Sequence, residues 1–247
     1  MLDLSLSGSD LLLVGVWFGV SLWNTSVGPT GGITFASMAS VLPPTAVIPI
    51  QAVVESASSV FRVMLLRNLV DWRFLLLFMI GGGAGFAIGL AARAFAPPSD
   101  AVLRVIMGAF ILITTWIPLS KLRFKSEGVP WMVGLATSFA SLFIGGVAAL
   151  IAAAIDQKHT DHGKVIATMT ASLIYQHAIK VLIFGLLGFS FATYADLMVA
   201  MFVAAIAGTW LGKKLLINVP QHMIKIVFKI LVTFLGLKVL FDGFGSL

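Results

Sequence analysis

Ionisable side chains are scarce in this chain, so each one inside an apolar run is a candidate for chemistry. Lys180 lies deep in the run 165–187, with Gln176 and His177 one turn before it. A charged group at such depth is costly, and intramembrane ionisable residues mark ion or substrate pathways. Lys180 can attract an anion or pair with an acid. It can also snorkel to an interface or bond a backbone carbonyl. His177 stands three residues before Lys180 and shares its helix face. Histidine titrates near neutral pH, which suits a proton relay, and a plain hydrogen-bonded histidine reads equally well. Glu55 is the acidic residue well inside a span. It can carry a proton as a coupling group, or neutralise Lys180 or Arg62, the latter two turns along its own face. Gln51, Ser56, Ser58, Ser59 and Thr170 are cheaper polar groups, and such side chains often bond back to their own helix. His159 and His162 share the loop 156–164 with Asp156 and Asp161, where two histidines read as solvated rather than metal-bound.

A second signal is broken backbone. The stretch Asn24 to Pro44, NTSVGPTGGITFASMASVLPP, sets Gly28, Pro29, Gly31 and Gly32 inside an apolar region. A break at membrane depth leaves N–H groups unpaired and is tolerated only where protein buries it or a watery cavity reaches it. A helix that starts there points its positive end at whatever occupies the cavity. The second half holds a matching break, Ile144-Gly145-Gly146, followed by a short apolar run to Ile155. Two breaks in corresponding positions predict an anion site between two helix starts. Its candidate lining is Asn24, Thr25, Thr30, Gly31, Gly32, Gly145 and Gly146, joined by Gln51, Ser56, Gln176 and Lys180. A side chain at Gly32 or Gly146 is expected to block the backbone's approach to the anion. The alternatives are that the hydroxyls cap the following helix and that the glycines let helices pack closely.

The elements that must position these groups follow from composition. Of the 247 residues, 59% are hydrophobic and 11% charged, and the mean hydropathy is +1.05. That excludes an ordinary soluble domain. Several runs reach the ~20 apolar residues that cross a bilayer, so the predicted fold class is an all-α polytopic membrane protein. No polar stretch is long enough for a separate soluble domain. The N-terminus lacks the basic region of a cleavable signal, and its first apolar run leads into the glycine break. With no cysteine, disulfide and thiolate chemistry are excluded. The net charge of +6 is explained by loops that orient the chain, not by nucleic acid.

Two repeats are predicted. Residues 1–119 hold a broken pair, 10–43, and spans 45–67, 74–95 and 102–119. Residues 120–128 form a cytoplasmic linker. Residues 129–247 hold a broken pair, 129–155, and spans 165–187, 195–216 and 220–241. Gly85, Gly89 and Pro97 recur as Gly208, Gly212 and Pro220, each shifted by 123 positions. Gly81, Gly85 and Gly89 have the spacing of a close-packing helix face. The loops 62–73, 119–127, 156–164 and 213–229 carry three, three, two and four Lys or Arg, twelve of the 16, and are placed inside. Each broken pair must then return to the side it entered from, either re-entrant or as a tight hairpin. The three remaining spans of each half cross an odd number of times. The second half is therefore inverted and both termini lie outside. Inverted repeats with interrupted helices in matching positions mark secondary transporters. Six tryptophans, among them Trp17, Trp72, Trp116, Trp131 and Trp210, mostly fall toward span ends as interfacial anchors.

These residues also resemble a family. The pattern G-x-x-G-G, a short apolar run and Leu42-Pro43-Pro44-x-Ala46-Val47 is similar to the first half of the sulfite exporter TauE/SafE family. Arg67…Asp71-Trp72-Arg73, Gly85-x-x-x-Gly89, Pro97 and Leu103-Arg104-x-x-x-Gly108 resemble the later part of that half. Gly145-Gly146, Ala167-Thr168 and Gly208-x-x-x-Gly212 resemble its repeat more weakly. The resemblance implies a transporter of anions such as sulfite, sulfonates or related organic anions in the cytoplasmic membrane. Pro49-Ile50 stands where the family often has Thr-Ser, Pro29 and Thr30 interrupt the glycine run, and Glu55 is an added acid. These departures leave the substrate and the coupling ion open. The expected partners are a small anion, membrane lipids and H⁺ or Na⁺, with no cofactor, no nucleic acid and an open oligomeric state. A membrane-embedded enzyme needs clustered acids, histidines or metal ligands, and here such residues are few and scattered. A channel is the other competing class.

Overall fold

The computed structural model describes residues 7–27, 31–117, 129–159, 161–215 and 221–247, with backbone alone at 23–27, 57–58, 61–62, 65, 212–215 and 221–225. Ten α-helices and no strand occur among the described residues. In chain order they are α1 Gly8–Val27, α2 Gly31–Val41, α3 Pro44–Leu66, α4 Trp72–Phe95 and α5 Asp100–Trp116. Then come α6 Val129–Ser141, α7 Ala148–Asp156, α8 His162–Leu186, α9 Ala195–Leu215 and α10 Gln221–Phe244. Trp72–Phe95, His162–Leu186 and Phe191–Leu211 are long and apolar enough to cross a bilayer. The chain is an all-α membrane protein.

Local chemistry sets the helix limits. Pro44 opens α3 at the first helical position, where its missing N–H is no loss. The Asp71 carboxylate accepts the Phe74 N–H at 2.9 Å and caps α4. Ser99 does the same for α5 through Val102, and Asp161 accepts the Gly163 N–H at the start of α8. The last carbonyls of α2 are met from other helices. Arg104 Nη1 donates to Ala39 O at 3.4 Å and Lys238 Nζ to Ser40 O at 3.0 Å. Arg93 likewise donates to Leu142 O at 2.9 Å, just past the end of α6.

Glycines decide how the helices pair. On α4, Gly81 and Gly85 press on the carbonyls of Trp131 and Leu135 in α6, and Gly134 presses back on the carbonyl of Phe78. The contacts advance in the same direction on both helices, so α4 and α6 run parallel. A methyl group at any of these glycines would strike backbone that cannot give way. The pair α1 and α9 repeats the arrangement. Gly208 faces Phe18 O and Leu22 N, one turn apart, as Gly85 faces Leu135 O and Phe139 N. By contrast α5 and α10 run antiparallel: Gly108 meets Leu240, Gly236 meets Ile111 and Leu112, and Gly243 meets Val105 and Arg104. At the centre α3 packs along α8. Exchanging α1–α5 for α6–α10 leaves the four main pairings, α1 with α9, α4 with α6, α5 with α10 and α3 with α8, unchanged.

The outside of this bundle is apolar, as with Leu76, Ile80 and Ile88 along α4. Trp72, Trp116, Trp131 and Trp210 are exposed, but Trp17 is buried in the core, because α1 turns that face toward its neighbours.

Candidate functional site

The two shortest α-helices among the described residues are far too short to cross a bilayer. α2 has 11 residues and α7 has 9. At 1.5 Å per residue they reach about 16 and 14 Å, roughly half of a ~30 Å hydrocarbon core. Each begins after a break: α2 at Gly31 and α7 after the turn through Gly145 and Gly146. Gly146 has φ +76°, a left-handed conformation that glycine adopts freely and other residues resist. The residues 28–30 before α2, including Thr30, lie outside the described residues.

Both starts come to the middle of α3. Glu55 stands midway along that helix. Its Oε1 lies 3.1 Å from Gln51 Nε2 and 3.3 Å from Thr34 Oγ1, in the first turn of α2; the Thr34 hydroxyl is also 2.9 Å from Gly31 O. The same oxygen borders the open side of Gly31, 3.7 Å from where a Cβ would stand. The other carboxylate oxygen, Oε2, lies 3.3 Å from His177 Nε2 on α8. Lys180, one turn beyond His177, is 2% exposed and within electrostatic reach of both Glu55 and His177. One turn before Glu55, Gln51 is 1% exposed and its Oε1 packs on Gly145 beside the Phe35 ring. That oxygen meets no hydrogen-bond donor among the described residues. The structure thus brings Gly31, Gln51, Glu55, Gly145, His177 and Lys180 to one place.

Other candidates are placed differently. Ser56 Oγ donates to Ala52 O at 2.6 Å, so its hydroxyl is spent on its own helix. Gln176 is fully buried but turns to α6, where its Nε2 donates to Thr137 Oγ1 at 2.9 Å and Ser138 Oγ at 3.0 Å. At Gly32 a Cβ would find nothing within 4 Å among the described residues, and the φ is not positive, so any obstacle a side chain poses there is to an anion and not to the protein. The close approach falls to Gly145 and the backbone constraint to Gly146. The side chains of Asn24, Thr25 and Arg62 lie outside the described residues, so the pairing of Arg62 with Glu55 does too. Thr34, Thr137 and Ser138 escaped the sequence reading. All three are buried hydroxyls in otherwise apolar runs beside the breaks, and that placement is the signal that marks them.

A second polar cluster lies at the far end of α3. Asp71 Oδ2 accepts from Lys158 Nζ at 2.9 Å and lies 2.8 Å from His159 Nε2. Its backbone N–H donates to Thr168 Oγ1 at 2.8 Å. The loop after α7 is thereby tied to the start of α4, and His159 is bonded rather than merely solvated. Burial alone would raise the Asp71 carboxyl. The Phe74 N–H, then Lys158 and His159, hold it well below the usual carboxylate range. No cluster of three metal-ligating side chains occurs among the described residues. A surface cavity of about 540 Å³ opens where α2 and α10 end, lined by Ser40, Arg104, Lys238 and Asp242. It lies apart from the mid-helix set, and Lys238 is already paired with Asp242 at 2.9 Å.

At mid-helix the arrangement can do one thing well. A helix start, Thr34, Gln51 and a histidine meet negatively charged oxygen, with a buried ammonium one turn along α8 from that histidine. The family model described as Sulfite exporter TauE/SafE matches residues 12–239. The chain belongs to the TauE/SafE family. The match takes in both broken pairs, the central α3 and α8, and nearly all of α10. TauE/SafE membership makes the chain a membrane transporter of the sulfite or sulfonate type. No curated protein and no solved structure gives a significant match.

Proposed function

We propose that the protein is a secondary transporter that exports a small sulfur-containing or organic anion across the cytoplasmic membrane by alternating access. The anion is held between the start of α2 and the Gly145–Gly146 turn before α7, with Lys180 as the fixed cation and Gln51 and Thr34 as donors. One observation carries this reading: Gly31 at the start of α2 and Gly145 before α7 both meet the middle of α3, where His177 stands one turn from a buried lysine, in a TauE/SafE chain. Each helix start carries about half a positive charge, worth roughly 0.3–2 kcal/mol to an anion. Two starts and an ammonium suffice for binding that is weak enough to release.

The pairing of helices supports an inverted repeat. Equivalent helices α5 and α10 run antiparallel, and α1 sits on α9 as α6 sits on α4. A two-fold axis across the helix directions produces both features, and such repeats rock around a midplane site. In this reading α2 and α7 are re-entrant, both termini lie outside, and H⁺ or Na⁺ drives the cycle. The test is thermal stability of the detergent-solubilised protein with sulfite, sulfate, sulfoacetate or chloride, since a ligand of the folded state raises its stability. A shift with sulfite or sulfoacetate that Lys180→Met abolishes is the expected result. Equal response to all four anions in both proteins would overturn the site.

A further inference from the structure

The helix start at Gly31 already has an anion beside it, and that anion is part of the chain. Glu55 presents Oε1 to Thr34 Oγ1 at 3.3 Å and to Gln51 Nε2 at 3.1 Å, and Oε2 to His177 Nε2 at 3.3 Å. Each of the groups that a transported anion would use at α2 therefore faces the Glu55 carboxylate. Charge makes the same point. At the middle of a membrane an unpaired charge is expensive. An ionised Glu55 balances the buried Lys180. Among the described side chains, a second anion beside both would leave more negative than positive charge.

We infer that the Glu55 carboxylate is the tethered resident of the anion site, and that a transported anion enters as Glu55 takes up a proton and withdraws. One proton then binds with each monovalent anion, and the loaded site keeps the charge of the empty one. The step is simple protonation: the carboxylate becomes a carboxylic acid and no other bond changes. The inference rests on the proposed anion site and adds what competes for it.

Among the described side chains, the titratable groups facing Glu55 are His177 and Lys180 of α8. α2 faces it with Gly31 and Thr34, and its own helix with Gln51. The charged residues of α5 and α9 stand toward the ends of those helices. His177 is the rival proton acceptor. It keeps 4% of its side-chain surface accessible where Glu55 keeps 21%. Protonating His177 would restore charge balance but leave the carboxylate in place. Protonating Glu55 does both at once.

The probe is methanesulfonate, which stays ionised throughout the working pH range, so any proton taken up belongs to the protein. Binding to the solubilised full-length protein is measured by calorimetry in two buffers of different ionisation heat. The wild type should take up about one proton per anion, with affinity rising up to about tenfold for each unit fall in pH. Glu55→Gln keeps the side chain's shape without its charge. It should bind at least as tightly as the wild type, with no proton uptake and a flat pH profile. Wild-type proton uptake retained in Glu55→Gln would overturn the inference and move the proton to His177. Wild-type binding without proton uptake would overturn it too, and decides the matter even if the variant does not fold. Failure of the wild type to bind either methanesulfonate or sulfite would instead remove the anion site itself.

Discussion

Alanine placed at three glycines around the helix breaks should have three different effects. At Gly145 a Cβ would overlap Gln51 Oε1 and the Phe35 ring, and both residues are buried. Forcing volume into a packed core costs about 1–3 kcal/mol. At Gly146 there is room, since the nearest atom, in the Phe110 ring, is 3.9 Å away. The obstacle is φ +76°, a conformation that costs an L-residue about 1–2 kcal/mol. Gly32 has neither obstacle, and alanine is the better helix former by up to about 1 kcal/mol in a helix interior, less in the first turn. Gly145→Ala and Gly146→Ala should therefore unfold at lower temperature than the wild type, while Gly32→Ala matches or exceeds it. Gly145→Ala should also lose the anion-dependent gain, because it displaces Gln51 from Glu55. The assay is thermal unfolding of the three purified variants in one detergent, with and without sulfoacetate. A Gly32→Ala protein as unstable as Gly145→Ala would overturn this ranking, for it would mean that something close-packed lies against the start of α2.

Three further outcomes are expected. Gly85→Ala and Gly208→Ala should destabilise the solubilised protein to a similar degree, since both drive a methyl group into a neighbouring helix's carbonyl; a large inequality would argue against equivalent roles in a repeat. Asp71→Ala should lose the α4 cap, about 1 kcal/mol, together with its bonds to Lys158 and His159. Because the folded-state carboxyl titrates below its ordinary range, its stabilisation is full above about pH 4 and fades as the pH falls below that. The stability gap between wild type and Asp71→Ala should narrow on acidification, and a gap that widened would show the sign to be wrong. Cysteines introduced at Ser126 and Ser246 should react with an impermeant reagent from opposite sides of the membrane; labelling of both from one side would sink the inverted topology.

Much of the architecture is legible in the composition, because a chain with so few charges can satisfy its backbone only as buried or lipid-facing helix. The break at Gly145–Gly146 is legible too, since glycine acts locally. Less legible is which glycine is needed. Gly32 and Gly145 look alike in sequence. They differ only because Phe35 and Gln51, distant along the chain from Gly145, fold onto that residue alone. The same limit applies to charge partners. Glu55 and Lys180 stand out as isolated ionisable groups, with Lys180 or Arg62 as the partner the sequence offers Glu55. Its contact with His177 exists because α3 lies along α8, and no local pattern encodes that. Ser56 and Gln176 show the converse. Their sequence positions do not show that Ser56 bonds the Ala52 carbonyl one turn back or that Gln176 turns to Thr137 and Ser138.

If this TauE/SafE chain moves an anion through a site that depends on Lys180, transport must fail when that charge is removed. Flux of labelled sulfite and of a labelled sulfonate into proteoliposomes, with and without a pH gradient, tests this when wild type and Lys180→Met are reconstituted at equal folded amounts. Saturable flux in the wild type and its near loss in Lys180→Met are the predicted outcome. Equal flux in the two proteins would contradict it.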